Sequence, residues 1–230
     1  MARLSDADTP AGGGPDPRRR VPTQARSRRR VETILDAAAG VVLRDGVEAV
    51  TTRSIAADAQ MPVASLYQYF ADKEAVLLAL AERDMAEMTH QVQVDLDAYH
   101  LKTATITGIV STVLNAYIKV LSRRPAFVEI YLRGRTNAAV MDYVREHIVA
   151  QAAALQELGL AFNLLKPDIP PAALRLAIEI GDRVLQVAYE SDQSGDAQIL
   201  TDGVEVIRSY LSRFMVPETD WQARGSSQTM

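Results

Sequence analysis

The chain has no cysteine, which excludes disulfides, thiolate nucleophiles and cysteine-held metals and fits a reducing cytoplasm. Aromatic residues are scarce, at 6% with a single tryptophan. No apolar run approaches the roughly 18–20 residues that a bilayer span requires, so no membrane segment is expected. The opening stretch, MARLSDADTPAGGGPDPRRR, lacks the apolar core of a secretory signal. Sequence fingerprints of catalysis are missing too. There is no nucleophile elbow and no P-loop, and Gly12-Gly13-Gly14 follows no strand as a dinucleotide fingerprint would. His90, Asp95, Asp97 and His100 gather near one expected helix end, but their spacing matches no zinc arrangement, and a solvated terminus is the plainer reading. No catalytic residue, metal or cofactor is assigned.

What the chain does have is uneven charge. The formal net charge of −4 speaks against a polyanion partner. Its distribution reverses that argument. Residues 17–73 carry ten Lys/Arg against six Asp/Glu, whereas residues 84–230 carry 13 against 18. The basic end includes Arg18-Arg19-Arg20 and, within Arg26-Ser27-Arg28-Arg29-Arg30, the candidate phosphate-contacting residues Arg28, Arg29 and Arg30. This asymmetry implies an N-terminal polyanion-binding end and a C-terminal body with another task.

Periodicity predicts an all-α protein. Residues 1–24, rich in proline and glycine, are expected to be a disordered basic arm. A first helix is expected over residues 27–45, with Ile34, Leu35, Ala38, Val41 and Val42 on one face and Gly46 as its stop. Thr51 suits the N-cap of a short helix over 52–59, and Met61-Pro62-Val63 forms a turn into another over 64–70, whose Leu66 and Phe70 face inward. Asp72 caps a long helix running to about His100 that links the two halves. Further helices are expected near 103–123, 125–133, 137–158, 170–191 and 197–215, with breaks at Gly134 and Gly159 among others, and residues 217–230 form a flexible tail. The domains are then a helix-turn-helix unit over 25–72 and a helical body over 73–216.

Thr51-Thr52-Arg53-Ser54-Ile55-Ala56, then Leu66-Tyr67-Gln68-Tyr69-Phe70, then Asp72-Lys73-Glu74 before Leu77-Leu78, resemble the N-terminal signature of TetR-type transcriptional regulators. The resemblance covers residues 28–80 and rests on motifs in the right order and spacing. It implies an N-terminal DNA-binding domain and a C-terminal helical domain that binds ligand and dimerises. It also implies DNA contacts at the positions of Arg53, Ser65, Tyr67, Tyr69 and Lys73. The family usually places glycine in the turn, where this chain has Gln60-Met61-Pro62. A left-handed Gln60 costs about 1 kcal/mol or more.

The residues support the same assignment on chemical grounds. A helix entering the major groove offers its N-terminal side chains to base edges. Here these are Ala64, Ser65 and Gln68; Gln68 matches adenine bidentately and Ala64 suits a thymine methyl. Arg53, Ala64 and Gln68 are the candidate base readers, while Thr52, Tyr67, Tyr69 and Lys73 are candidates for phosphate contacts that fix register. Tyr69 has packing beneath the motif as its alternative.

In the body, Tyr117, Phe127, Tyr131, Met141 and Gln186 are candidate effector contacts, set against ordinary core packing. Glu179, Asp182 and Arg183 interrupt an apolar helix; Glu179 and Arg183 are spaced to pair, and the group reads as the polar flank of a dimer interface. Leu174, Ile178 and Leu185 mark one stripe, and Leu200, Val204, Ile207 and Leu211 another, together the expected interface of a homodimer. The expectation is a cytoplasmic transcriptional regulator, a repressor in kind. It binds a double-stranded inverted-repeat operator and is released by a largely apolar small-molecule effector. A helical metal-dependent enzyme or a small-molecule carrier without DNA binding would leave the basic motif unexplained.

Overall fold

A computed structural model describes residues 20–99, 105–134 and 137–217. Helix α1 spans Arg20–Asp45. It begins earlier than its apolar periodicity suggests, because a proline in the first turn removes no helical hydrogen bond. The expected disordered arm is therefore helical over residues 20–24, and its remaining residues lie outside the described ones. Gly46, with φ +83°, ends the helix as expected. Helix α2 (Thr52–Asp58) packs on α1, α3 (Val63–Leu66) packs on α2, and Asp72 caps α4 (Lys73–Ala98) by accepting from the Ala75 amide at 2.8 Å.

The body comprises α5 (Ile106–Arg123), α6 (Pro125–Phe127), α7 (Ala138–Ala161), α8 (Ala172–Tyr189) and α9 (Ala197–Leu211). Between α6 and α7 the chain forms a π-helical turn, Val128–Gly134, where a plain α-helix was expected. Helix α7 also runs straight through Gly159, the expected break. That glycine serves a close approach: a Cβ there would lie 2.5 Å from Leu165 Cδ1. Leu165 in turn pairs with Met215 in an isolated antiparallel bridge that ties the segment after α9 to the α7–α8 loop. No strand occurs among the described residues. None of the described helices is long and apolar enough to cross a membrane.

One core runs from the N-terminal unit into the body. It joins Ile34, Val41, Ile55 and Leu66 to Leu80 and Met88 of α4, and continues through Phe127 and Tyr131 to Leu185 and Tyr189. Helix α4 carries it, packing on α1, α5 and α7. Two smaller clusters close the far end, one around Leu165, Ile169 and Leu174 and one around Ile106, Val110, Ala177 and Ile207.

Candidate nucleic-acid interface and effector site

The N-terminal unit owes its shape to local capping. The Thr51 hydroxyl accepts from the Ser54 amide at 3.0 Å, and the Thr51 amide donates to the Ser54 hydroxyl at 3.0 Å. This reciprocal box fixes where α2 starts. At its other end Gln60 takes φ +52°, the left-handed geometry usually left to glycine. The Met61 amide then reaches back to the Ala56 carbonyl at 2.9 Å and closes the turn. Pro62 follows in extended geometry and starts α3 without a side-chain cap.

Helix α3 is shorter than the expected 64–70. After Leu66 it tightens: the Gln68 amide bonds the Ser65 carbonyl at 3.3 Å and the Tyr69 amide bonds the Leu66 carbonyl at 2.9 Å. Leu66 is fully buried and holds the segment to the core, with Phe70 half-buried beside it. Ala64, Tyr67 and Gln68 are left exposed, as is Arg53 on α2, and Tyr67 keeps 53% of its surface. The Tyr67 and Thr52 hydroxyls lie 3.2 Å apart, linking the end of α3 to the start of α2. Ser65 and Lys73 are half-buried, and Tyr69 packs against the core with part of its surface still open. Arg28, Arg29 and Arg30 stand exposed on α1.

Ion pairs fasten this unit together and to the body. Arg44 on α1 meets Asp58 on α2 at 3.0 Å. Arg83 on α4 reaches Glu32 at 3.2 Å and Asp36 at 2.8 Å, both on α1, and its neighbour Asp84 at 3.1 Å. Arg124, at the start of α6, pairs with Glu87 at 2.7 Å and lies 3.7 Å from Asp84. Asp84 is only 1% exposed; burial pushes its carboxyl above the ordinary range and the Arg83 charge opposes that shift. Sequence reasoning missed this cluster. The signal was present, since Asp84 falls on the apolar spacing of Leu77, Ala81 and Met88.

Residues 34–80 match the family model for bacterial regulatory proteins of the tetR family. By structure, the chain is similar to a TetR-family transcriptional regulator from Streptomyces coelicolor, with 25% identity, a TM-score of 0.60, and coverage of 80% of this chain and 98% of that one. Residues 34–80 therefore carry the tetR-family signature, and the chain shares the fold of that TetR-family regulator. Two more distant structures share its fold. One is the fatty acid degradation regulator FadR from Bacillus halodurans, at 19% identity and TM-score 0.63, covering 79% of this chain and 94% of that one. The other is SmeT, the repressor of the Stenotrophomonas maltophilia multidrug efflux pump SmeDEF, at 20% and 0.62, covering 81% and 91%. No curated protein matches the chain by sequence.

In the helical body, four of the five expected effector contacts converge. Phe127 is fully buried and stacks on Tyr131, with centroids 5.2 Å apart. The Tyr131 hydroxyl donates to Asp182, and the buried Gln186 donates its amide to the other Asp182 oxygen at 2.5 Å. Tyr117 exchanges hydrogen bonds with Gln151 at 3.1 and 3.3 Å; burial raises its phenol pKa, and the Asp182 charge adds to the rise. Met141 lies half-buried against the same core, with no polar link to this group. Asp182 thus turns inward rather than flanking an interface. Glu179 lies 3.7 Å from Arg175, not beside Arg183. Arg133 donates to the Tyr189 carbonyl at 2.9 Å and pairs with Glu129. The Tyr189 hydroxyl is buried with no hydrogen-bond partner, a feature the sequence did not announce.

Of the seven residues expected at a dimer interface, three are buried by their own chain and four stay partly exposed. Leu174, Leu185 and Ile207 are buried within the protomer, and Ile178, Leu200, Val204 and Leu211 pack half-buried against the same cores. The strongest apolar stripe of each helix serves its own chain first. What remains outward on α8 and α9 is a second apolar face, with Leu176 at 48% and Val206 at 52% exposure. As for the acidic residues near the end of α4, Asp95 pairs with Lys119 at 2.8 Å and Asp97 accepts from Gln93 at 2.8 Å, while His100 lies outside the described residues.

Proposed function

We propose that the chain is a ligand-responsive transcriptional repressor that binds an inverted-repeat operator as a homodimer in the cytoplasm and is released by a small molecule. The observation that carries this reading is the division of labour on α3. Leu66 is locked into the core, and Ala64, Tyr67 and Gln68 are exposed, as is Arg53 on α2. Polar and small side chains on a rigid, outward-facing turn are what base readout in a major groove requires. The exposed arginines of α1 add sequence-independent attraction to phosphate. Thr52, Ser65, Tyr67, Tyr69 and Lys73 are the proposed register contacts, with Arg53, Ala64 and Gln68 reading bases.

The effector reading rests on the group around Tyr131. A stacked aromatic pair, a carboxylate with two donors and a buried hydroxyl lacking a partner supply one apolar wall and a few polar anchors. Among the fold neighbours, SmeT has been captured with triclosan, and EbrR is described as a multidrug binding protein. A largely apolar molecule is the proposed effector here. It acts by preferring one of two arrangements of the reading heads, and it shifts DNA affinity only by that preference. Helix α4, which is fastened to both halves, is the element whose position distinguishes the two states.

Selection of bound duplexes from a random DNA pool at moderate salt tests the proposal. Enrichment of an inverted repeat, with half-sites about one helical turn apart, is the expected result. A pool that stays unenriched would sink it.

A further inference from the structure

The outward face of α8 and α9 holds a shallow groove of about 370 Å³. Its walls are apolar, built from Ile180, Val184, Val187 and Val206. Two charges interrupt them, Arg183 on the α8 side and Asp202 on the α9 side. Within the protomer each has only a neutral neighbour one helical turn away. Arg183 donates to Gln186 at 3.1 Å, and Asp202 accepts from Gln198 at 2.9 Å. Neither has an opposite charge within 4 Å among the described residues.

A surface that carries one charge of each sign on opposite walls of an apolar groove is complementary to itself. An isologous contact requires this property, since the same patch must serve both sides. A two-fold axis passing through the groove exchanges the walls. It lays α8 of one copy over α9 of the other, so the arginine wall of each protomer faces the aspartate wall of its partner. Val206, a wall of the groove with 52% of its surface exposed, is covered by the same operation. We infer that a second copy of this chain occupies the groove, with Arg183 of each protomer paired to Asp202 of the other, and that this crossed pair decides which chains associate. The inference rests on the homodimer reading above and adds to it the residues that set partner choice. Charged pairs at the edge of an apolar contact contribute to specificity more than to raw affinity.

The test uses the full chain with Arg183→Asp and Asp202→Arg, alone and mixed, each carrying a distinguishable tag and followed by sedimentation and native mass spectrometry. The unaltered chain should sediment as a dimer. Each reversal alone places two like-charge contacts in its homodimer and should weaken self-association on the order of 10–100-fold. Mixed in equal amounts, the two variants should form the mixed dimer almost exclusively, because only that pairing restores opposite charges at both contacts. The doubly reversed chain, Arg183→Asp with Asp202→Arg, should self-associate again, which separates lost pairing from lost folding. Single reversals that dimerise normally and mix statistically would overturn the crossed pair and leave the homodimer standing. An unaltered chain that sediments as a monomer at micromolar concentration would overturn the homodimer itself, and the pair with it.

Discussion

The N-terminal unit and the helical body place their polar residues in opposite ways. Around α2 and α3 the polar side chains face solvent, and the backbone that carries them is fixed by short-range devices: the Thr51–Ser54 box, the left-handed Gln60 and the buried Leu66. In the body the distinctive polar residues, Tyr131, Asp182, Gln186 and Tyr117, face inward and bond one another or a neighbouring helix. A surface that reads a long, regular polymer must be open and rigid, whereas one that encloses a small molecule must be closed and adjustable. The two designs share one core, which runs from Ile34 and Leu66 through Leu80 and Met88 to Leu185 and Tyr189.

The comparison is broken most severely at Leu66, the apolar anchor of the open surface. Leu66→Ala should destabilise the N-terminal unit by about 2–5 kcal/mol, read as a lower unfolding midpoint. Operator binding should fall with it, while dimer mass holds. At the surface itself, Gln68→Ala should leave the melting curve alone and weaken operator binding by roughly 1–3 kcal/mol, with relaxed preference at one base pair per half-site. Unchanged affinity and preference in a binding titration would remove Gln68 from the reading set. Gln60→Gly should move stability the other way, a gain of about 1 kcal/mol, because glycine enters the left-handed region without the steric cost. A loss on thermal unfolding would mean that the glutamine side chain makes a compensating contact.

The smallest effect belongs to pH. His147 in the body sits 3.2 Å from the Thr89 hydroxyl, and burial lowers its pKa. The folded chain therefore binds its proton less readily than the unfolded chain does. Its contribution to stability is present above the ordinary histidine range and is lost as pH falls through it. His147→Gln should flatten that part of the stability–pH curve; an unaltered slope would assign the pH dependence to another group.

Much of the reading unit was legible from sequence because local chemistry decides it. Thr51, Asp72 and Gly46 announce helix ends within a few residues of themselves, and each stands where its chemistry requires. Gln60 is left-handed where the family usually has glycine, a geometry the sequence left open. The body was less legible because its decisive contacts are distant in sequence. Asp182 reads as a surface charge until Tyr131, 51 residues away, is seen against it. Apolar periodicity on α8 and α9 says that a face is buried but not against what: Leu185 and Ile207, expected at an interface, are covered by their own chain. Gly159 misled for a related reason, since a glycine that admits Leu165 looks in sequence like one that ends a helix.

The π-helical turn at Val128–Gly134 amounts to one additional residue accommodated in an otherwise ordinary helix. A chain one residue shorter here would revert to regular winding: the flanking segments would keep their facing, and the side chains within the turn, Tyr131 among them, would rotate relative to it. Tyr131 would then swing off Asp182 and off its stack with Phe127. Length at this point therefore acts as a setting, and a single codon gained or lost resets which groups face the interior.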